Sequence, residues 1–260
     1  MNVSLPSMLA AAALVSLFSG ALAGGSVAFG LRQPDHASYA KADIQPNVDE
    51  AIGAYIKAHP EQILASLRSG QAAAATEKVA ATETAIKEHR EALFDVRTAP
   101  SIGAGDPDVT IVEFFDFRCP YCKSSVAALE HLTDTDPKVR VIFRDIPVLG
   151  ELSDYESRLA LAAARQGRYH DAYRALFGIV GTIDKGSIQA ALSKVGLDVA
   201  ELERDAGTTE IRDQVKHNLE LANQVYVTGT PAWIVNDQSA PGALDQARLA
   251  QLVSKARAKS

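Results

Sequence analysis

The 260-residue chain is poor in residues that form covalent or metal cross-links. It has two cysteines, Cys119 and Cys122, and two methionines, Met1 and Met8, both at the N-terminus. A structural zinc site needs four ligands, and there is neither a second cysteine pair nor a nearby histidine pair. A disulfide across two residues would constrain almost no loop entropy. These absences disfavour a purely structural role for the two cysteines.

Clusters of positive charge are also missing. The formal net charge is −6 and the pI is near 5.5, and no run of Lys or Arg appears, so nucleic acid is not predicted as a partner. With 47% hydrophobic and 22% charged residues, the chain reads as a globular protein that can bury a sizeable core.

The first 31 residues carry no charged side chain. Within them, Leu9 to Phe18 is a short apolar block, and Ala21 and Ala23 are the small residues that a signal peptidase prefers, which predicts an export signal cut after Ala23. No Lys or Arg precedes the block, and the uncharged run continues to Leu31, so an uncleaved anchor of about 20 residues is the alternative. Both predict a periplasmic or other extracytoplasmic, oxidising location, either soluble after cleavage or anchored.

Residues 32–46 are polar and without periodicity, and we interpret them as a linker. Residues 47–98 form a predicted helical segment. A first helix ends at His59-Pro60, a second is expected to end at Gly70 as its C-cap, and residues 71–97 contain neither Gly nor Pro and predict a long third helix.

Val79, Ile86 and Leu93 lie seven residues apart in this helix. A helix that is polar on nearly all sides usually buries such a thin apolar stripe against a partner. We therefore expect self-association through residues 47–98. The alternative is that these helices fold back onto the domain that follows. The remaining heptad positions are mostly polar and do not predict a long coiled coil.

The motif Cys119-Pro120-Tyr121-Cys122 follows a predicted strand, Val109 to Phe115, and opens a predicted helix. At a helix start, unpaired N–H groups and the macrodipole favour an anion, so Cys119 is the candidate nucleophile. Cys122, one turn further in, can resolve a mixed disulfide, and Pro120 suits the first helical turn. Two thiolates can also bind Cu(I), which leaves a copper-binding module as another interpretation.

The rest of the chain is mostly helical. After a second strand with alternating Val139, Val141 and Phe143, Ser153-x-x-Glu156 predicts a capping box that opens a helix. Further helices, a strand and a final helix are predicted at 169–177, 185–195, 209–226, 232–235 and 243–258. The strand, helix, strand order around a redox pair predicts a thioredoxin-like α/β fold.

Two motifs together resemble the DsbA family of exported thiol-disulfide oxidoreductases: Glu113-Phe114-Phe115-Asp116-Phe117-Arg118-Cys119-Pro120-Tyr121-Cys122-Lys123 and Val227-Thr228-Gly229-Thr230-Pro231-Ala232. The 108 residues between Cys122 and Pro231 are similar to the helical insertion of that family, at about residues 150–226 of a domain spanning 99–260. The resemblance implies a DsbA-like thioredoxin fold behind an all-α N-terminal segment.

The resemblance also implies roles for individual residues. Pro231 matches the cis-proline that faces the dithiol and turns the Thr230 backbone toward substrate. A Thr before this proline is common in disulfide isomerases of the superfamily, so Thr230 leans toward isomerase chemistry. Glu113 matches the buried acid beneath the resolving cysteine, which exchanges its proton. Asp116 and Arg118 fit either a part in the site or ordinary surface positions.

Overall, the chain most resembles proteins like suppressor of copper sensitivity protein C, in which an N-terminal helical segment mediates oligomerisation. This resemblance implies an enzyme that needs no organic cofactor or metal, because its redox group is the Cys119–Cys122 disulfide. Implied partners are unfolded or misoxidised exported proteins and a membrane redox protein. A monomeric DsbA-like oxidase remains the alternative to an isomerase.

Overall fold

The computed structural model describes residues 45–259, with side chains from residue 47 onward. The predicted signal or anchor, residues 1–31, lies outside this range, as does nearly all of the predicted linker. Within the described range, no helix is long and apolar enough to cross a membrane. The chain divides into two compact units, and the division in the sequence falls between Pro60 and Glu61.

The described part of the first unit is helix α1 (Gln45–Ala58). Its apolar side chains Val48, Ile52, Tyr55 and Ile56 are about half exposed. The N–H of His59 donates to the Tyr55 carbonyl 2.9 Å away. The helix ends before Pro60, as predicted, because proline disfavours helical geometry in the residue before it.

The second unit contains the remaining helices and a five-stranded sheet. Its N-terminal helices are α2 (Pro60–Glu88) and α3 (Arg90–Phe94). Its strands are β1 (Ser101–Gly103), β2 (Val109–Phe115), β3 (Val139–Asp145), β4 (Ala232–Val235) and β5 (Gln238–Pro241). The other helices are α4 (Pro120–Thr135), α5 (Glu151–Arg165), α6 (Tyr169–Phe177), α7 (Lys185–Lys194), α8 (Val199–Ala206), α9 (Thr209–Gln224) and α10 (Gln246–Arg257).

The sheet has the strand order β1-β3-β2-β4-β5. Strands β2 and β3 are parallel and joined by α4, which is the predicted βαβ unit, whereas the other neighbours pair antiparallel. Helices α5 to α9 fill the interval between β3 and β4. The predicted thioredoxin-like fold with a helical insertion is confirmed.

Both faces of the sheet are covered, so β2 is apolar in nearly every position. Ile111 and Phe115 point into the larger core cluster with α4, α5, α6 and α10. Val112 and Phe114 point into a second cluster that contains residues of α2, α3 and α9. The end of the N-terminal helical segment therefore covers one face of the sheet.

The fully buried guanidinium of Arg144 on β3 ties α3 to this second face. It donates hydrogen bonds to the carbonyls of Ala92 and Leu93 and to Asn218 on α9. Both carbonyls belong to α3, a helix too short to be stable in water by itself. A buried cation that is hydrogen-bonded on several sides holds α3 against the sheet.

Several sequence-based boundaries were wrong. Gly70 does not cap a helix, because α2 continues through it. A glycine inside a helix costs about 1 kcal/mol relative to alanine, and the glutamine and alanines that follow Gly70 favour helix strongly enough to offset this cost. Ser153 and Glu156 do not form a capping box. Helix α5 begins earlier, after Gly150, whose φ of 114° turns the chain into the helix.

Three further elements were not predicted. They are β1, β5 and α8. The two strands are three and four residues long, too short for a clear alternation of polar and apolar residues.

Candidate active site

The two cysteines lie at the N-terminus of α4, at the end of β2. Cys119 is the N-cap residue, with extended backbone, and Pro120 takes the first helical position. Both thiols are free in the structure. Cys119 is 5% exposed and Cys122 is fully buried, while Tyr121 between them is exposed. Only Cys119 is therefore positioned to meet another protein.

The loop before β4 faces Cys119. The Thr230–Pro231 peptide bond is cis, as the resemblance implied, and the Cys119 thiol donates to the Thr230 carbonyl at 3.3 Å. The carbonyl of Pro231 accepts the N–H of Gly242 at 2.8 Å, which anchors the loop to the turn after β5. The fold thus brings together two motifs that are far apart in sequence.

An apolar groove of about 500 Å³ adjoins this loop. Val225 to Ala232 forms one wall, and β5 contributes Pro241. Val79 and Thr82 of α2 form part of the other wall. A peptide whose cysteine reaches Cys119 would meet this groove next to the Thr230 backbone.

Glu113 lies inside the core below the dithiol. It is fully buried, its Oε2 accepts a hydrogen bond from the Tyr173 hydroxyl at 3.1 Å, and Oε1 has no partner among the described residues. Burial raises the pKa of Glu113 to about 8, against the smaller lowering effect of Tyr173. A carboxyl with its pKa near neutral pH can give a proton in its neutral form and take one in its ionised form.

The Cys122 thiol is affected by the same surroundings. Burial raises its pKa, and the nearby charge of Glu113 adds to this effect. A buried thiol that is costly to ionise is a better leaving group when a neighbouring acid supplies the proton. This electrostatic coupling fits the proton exchange that the resemblance implied for Glu113.

A second buried acid–tyrosine pair was missed by sequence reasoning. Asp145, at the end of β3, is fully buried and accepts a hydrogen bond from the Tyr169 hydroxyl. Burial raises the pKa of Asp145 to about 7, and its charge contributes to the raised pKa of Glu113. The available signal was the spacing of Tyr169 and Tyr173, four apart on one face of α6.

Asp116 is not a surface residue. It is fully buried, one carboxylate oxygen accepts the N–H of Arg118 at 2.7 Å, and the other accepts those of Val148 and Leu149 at 2.8 and 3.0 Å. Its carbonyl accepts the N–H of Cys119 at 3.0 Å. Asp116 therefore fixes the loop before Cys119 to the loop after β3. Arg118 is partly buried.

The described residues contain no group of three or more His, Cys, Asp or Glu side chains placed to hold a metal ion. The titratable groups near the dithiol are instead buried acids and tyrosines among the aromatic rings of Phe115, Phe143 and Phe177.

Comparisons with known proteins agree with this geometry. The two thiols at a helix start, facing a cis-proline, fit the thioredoxin-like class of oxidoreductases. Residues 110–254 match the DSBA-like thioredoxin domain. The chain belongs to the DsbA-like thioredoxin family.

Two solved structures illustrate the similarity. A thioredoxin-like oxidoreductase from Silicibacter pomeroyi is 38% identical with a TM-score of 0.63, covering 66% of this chain and 99% of its own. A linker-deletion mutant of ScsC from Proteus mirabilis is 26% identical with a TM-score of 0.65, covering 86% of this chain and 100% of its own. The second alignment extends over much of the N-terminal helical segment.

Curated sequences give a consistent result. A probable disulfide bond formation protein D from Bacillus anthracis is 27% identical over 165 residues, covering 58% of this chain and 75% of its own. The chain also matches part of a Na(+)/H(+) antiporter NhaA from Salinispora tropica at 24% identity, but it spans only 24% of that protein's length.

Proposed function

We propose that the protein is an exported enzyme that exchanges disulfides with protein substrates through Cys119 and Cys122, with a lean toward disulfide isomerisation. The observation that carries the proposal is the Cys119 thiol, which is 5% exposed while Cys122 is fully buried. It is hydrogen-bonded to the Thr230 carbonyl and backed by the buried Cys122 and Glu113.

In the oxidising direction, a substrate thiolate attacks Cys119 Sγ of the Cys119–Cys122 disulfide. The new bond is a mixed disulfide, and Cys122 leaves as a thiolate that takes a proton from Glu113. A second substrate thiolate then attacks the mixed disulfide and releases Cys119. The substrate loses two electrons and the enzyme dithiol gains them.

In the isomerising direction, the reduced enzyme starts the reaction. The Cys119 thiolate attacks a wrong substrate disulfide and releases one substrate thiolate. Another substrate thiolate then attacks the mixed disulfide, so that Cys119 is regenerated with no net change in oxidation state. The groove beside Thr230 holds the substrate chain during either sequence.

Self-association of the N-terminal helices would favour isomerisation, because several catalytic domains around a shared space can act on one unfolded chain. Support comes from apolar side chains left exposed along α1 and the first part of α2. Those on α2 are Leu64, Leu67 and Val79. Stripes of this kind are expected to be covered by a partner.

The test is reactivation of a scrambled multi-disulfide protein by residues 32–260, by residues 82–260 and by the Cys119→Ser variant of the longer chain. The shorter chain keeps Ile86 and Leu93, which pack on the sheet. We expect that residues 32–260 reactivate the scrambled protein, and that residues 82–260 and the Cys119→Ser variant do not. If neither chain rearranges disulfides while both oxidise a reduced substrate, the isomerase proposal is wrong and the protein is a DsbA-like oxidase that acts as a monomer.

A copper-binding or redox-poised binding module is the second candidate, supported by the two free thiols three positions apart. Thr230 and Pro231, however, serve peptide exchange and add nothing to metal capture. Tight, stoichiometric Cu(I) binding by the reduced protein together with no disulfide exchange would favour this function.

A further inference from the structure

The groove beside the Thr230–Pro231 loop is apolar over most of its surface but contains one charged side chain. Its volume is about 500 Å³, and valines, alanines, prolines, Trp233 and Ile234 make up most of its lining. Among the described residues that line it, Lys78 of α2 is the only one with a charge. This cation comes from the N-terminal helical segment, whereas the dithiol and the cis-proline belong to the DsbA-like domain.

Lys78 lies on the face of α2 that is turned toward the DsbA-like domain. Thr82 and Ala85, four and seven residues further along, are only 7% and 6% exposed, and residues at these spacings share one face of a helix. Ala85 packs in the core cluster on the second face of the sheet. Ala75, three residues before Lys78, also lines the groove. The docked face of α2 therefore continues as the groove wall, and this is the face that carries Lys78.

No acidic side chain in the described part of the chain is placed to neutralise Lys78. No Asp or Glu lines the groove, and the adjacent Glu77 does not face Lys78, because neighbours at i and i+1 point to different sides of a helix. The positions three and four residues away, where ion pairs form along a helix, are Ala74, Ala75, Ala81 and Thr82. A ligand in the groove would supply the missing negative charge.

The same groove presents backbone groups to an extended peptide. Thr228 and Gly229 both line it, and neither makes a backbone–backbone hydrogen bond with another described residue. The next residue, Thr230, contacts the Cys119 thiol through its carbonyl at 3.3 Å. An extended segment that pairs with this loop therefore has Cys119 next to it on one side and Lys78 on the α2 wall.

We propose that Lys78 is a specificity-determining residue, and that the groove takes extended apolar segments which carry an Asp or Glu within a few residues of the reacting cysteine. The apolar lining contacts the apolar side chains of the segment, and the ammonium group of Lys78 attracts its carboxylate. This inference rests on the proposed function and names the class of substrate segment. It gives α2 a part in the site in addition to its proposed part in self-association.

The test compares peptides that differ in one residue. Each has a single cysteine flanked by leucines, with either Glu or Lys at successive positions on both sides, and is added in excess to the oxidised protein, residues 32–260. A peptide thiolate attacks Cys119 Sγ, the mixed disulfide forms and Cys122 leaves as a thiolate. A second peptide thiolate then releases a peptide disulfide and the reduced protein. Acid quenching and mass spectrometry follow the loss of the Cys119–Cys122 disulfide.

The readout is the ratio of the rates for the Glu and Lys peptides. Intrinsic differences between the peptide thiols cancel when this ratio is compared between the unchanged protein and a variant. Lys78→Glu is expected to lower the ratio about fivefold at low salt, and much less at about 1 M salt, where the screening length is about 3 Å. Lys87→Glu makes the same charge change on the opposite face of α2 and is expected to leave the ratio unchanged.

The possible outcomes separate this inference from the proposed function. An equal change in both variants, or no change in Lys78→Glu, overturns the inference and leaves the proposed function standing. Weaker self-association of Lys78→Glu in sedimentation velocity, without a change in the ratio, means that a second copy covers the groove and also overturns the inference. If no peptide reduces the protein disulfide, the proposed function is wrong, and the inference with it.

Discussion

The two ends of α2 differ in what their apolar residues contact. Leu67 is 58% exposed and Val79 is 53% exposed, whereas Ile86, one heptad after Val79, is fully buried. Val79 and Ile86 lie on the same stripe of the same helix. Only the last turns reach the second face of the sheet, where Ile86 packs with Ile142 and Leu221.

This difference in exposure means that the predicted apolar stripe consists of two parts with different contacts. The heptad spacing of Val79, Ile86 and Leu93 predicted a stripe that needs a partner, and for Ile86 and Leu93 the partner is the chain's own sheet. Expecting them to serve self-association was therefore wrong, and folding back is correct for this part. The first part of α2 keeps its apolar residues exposed and remains the candidate for an interface between copies.

The comparison is sharpest between two matched substitutions, Ile86→Ala and Val79→Ala. Ile86→Ala leaves a cavity beneath the sheet and is expected to lower the free energy of unfolding by about 2–5 kcal/mol. Val79→Ala removes an exposed side chain and is expected to change it by about 0.5 kcal/mol or less. Urea unfolding followed by fluorescence of Trp233, the only tryptophan, measures both. Equal losses would mean that α2 is not docked as described.

The catalytic domain should also show a pH dependence that the exposed helices lack. Because the pKa of Glu113 is raised from 4.5 to about 8, the folded state holds a proton in this range that the unfolded state releases. Stability therefore falls as pH rises between these values. Glu113→Gln is expected to reduce this slope by up to about 1 kcal/mol per pH unit.

The matched control for this prediction is Glu88→Gln, a change of an exposed side chain at the last residue of α2, which should leave the slope unchanged. Asp145 and Glu156, whose pKa values burial also raises, keep part of the slope in the Glu113→Gln variant. Unfolding midpoints in urea at several pH values provide the measurement. A slope unaltered by Glu113→Gln would contradict the assignment of Glu113 as a buried neutral acid.

A smaller effect is expected at the exposed part of α2. Leu67→Glu places charge beside the exposed side chains of Leu64 and Leu67 and should weaken self-association about tenfold or more, while Ser69→Glu, on the opposite side of the helix from Leu67, should not. Sedimentation velocity over a range of concentrations distinguishes the two. Identical behaviour of both variants would argue that the stripe is not the interface.

Sequence reasoning succeeded where the signal is local and strong. Strand β2, helix α4 and strand β3 follow from apolar alternation and helical spacing around Cys119 and Cys122. The distant Thr230–Pro231 pair came from the family resemblance, since no local pattern shows that a loop more than a hundred residues away faces the dithiol.

The rest of the site depends on packing that periodicity does not encode. The sequence leaves Asp116 open between a part in the site and a surface position, because nothing local shows that Val148 and Leu149 donate their N–H groups to it. Ser153 and Glu156 match a capping box, yet the preceding loop is tied to Asp116 and lets α5 begin earlier. The buried charges of Asp145 and Glu156 were missed because acids on otherwise apolar elements look like solvent-facing positions.

The most direct test of the proposed chemistry is to trap its covalent intermediate. In a Cys122→Ser variant, the mixed disulfide at Cys119 cannot be resolved from within the enzyme. Incubation with a disulfide-containing unfolded protein, followed by acid quenching and peptide mass spectrometry, should show substrate cysteine bonded to Cys119, and none in Cys119→Ser. If substrate is exchanged without any adduct at Cys119, the account of the site is wrong.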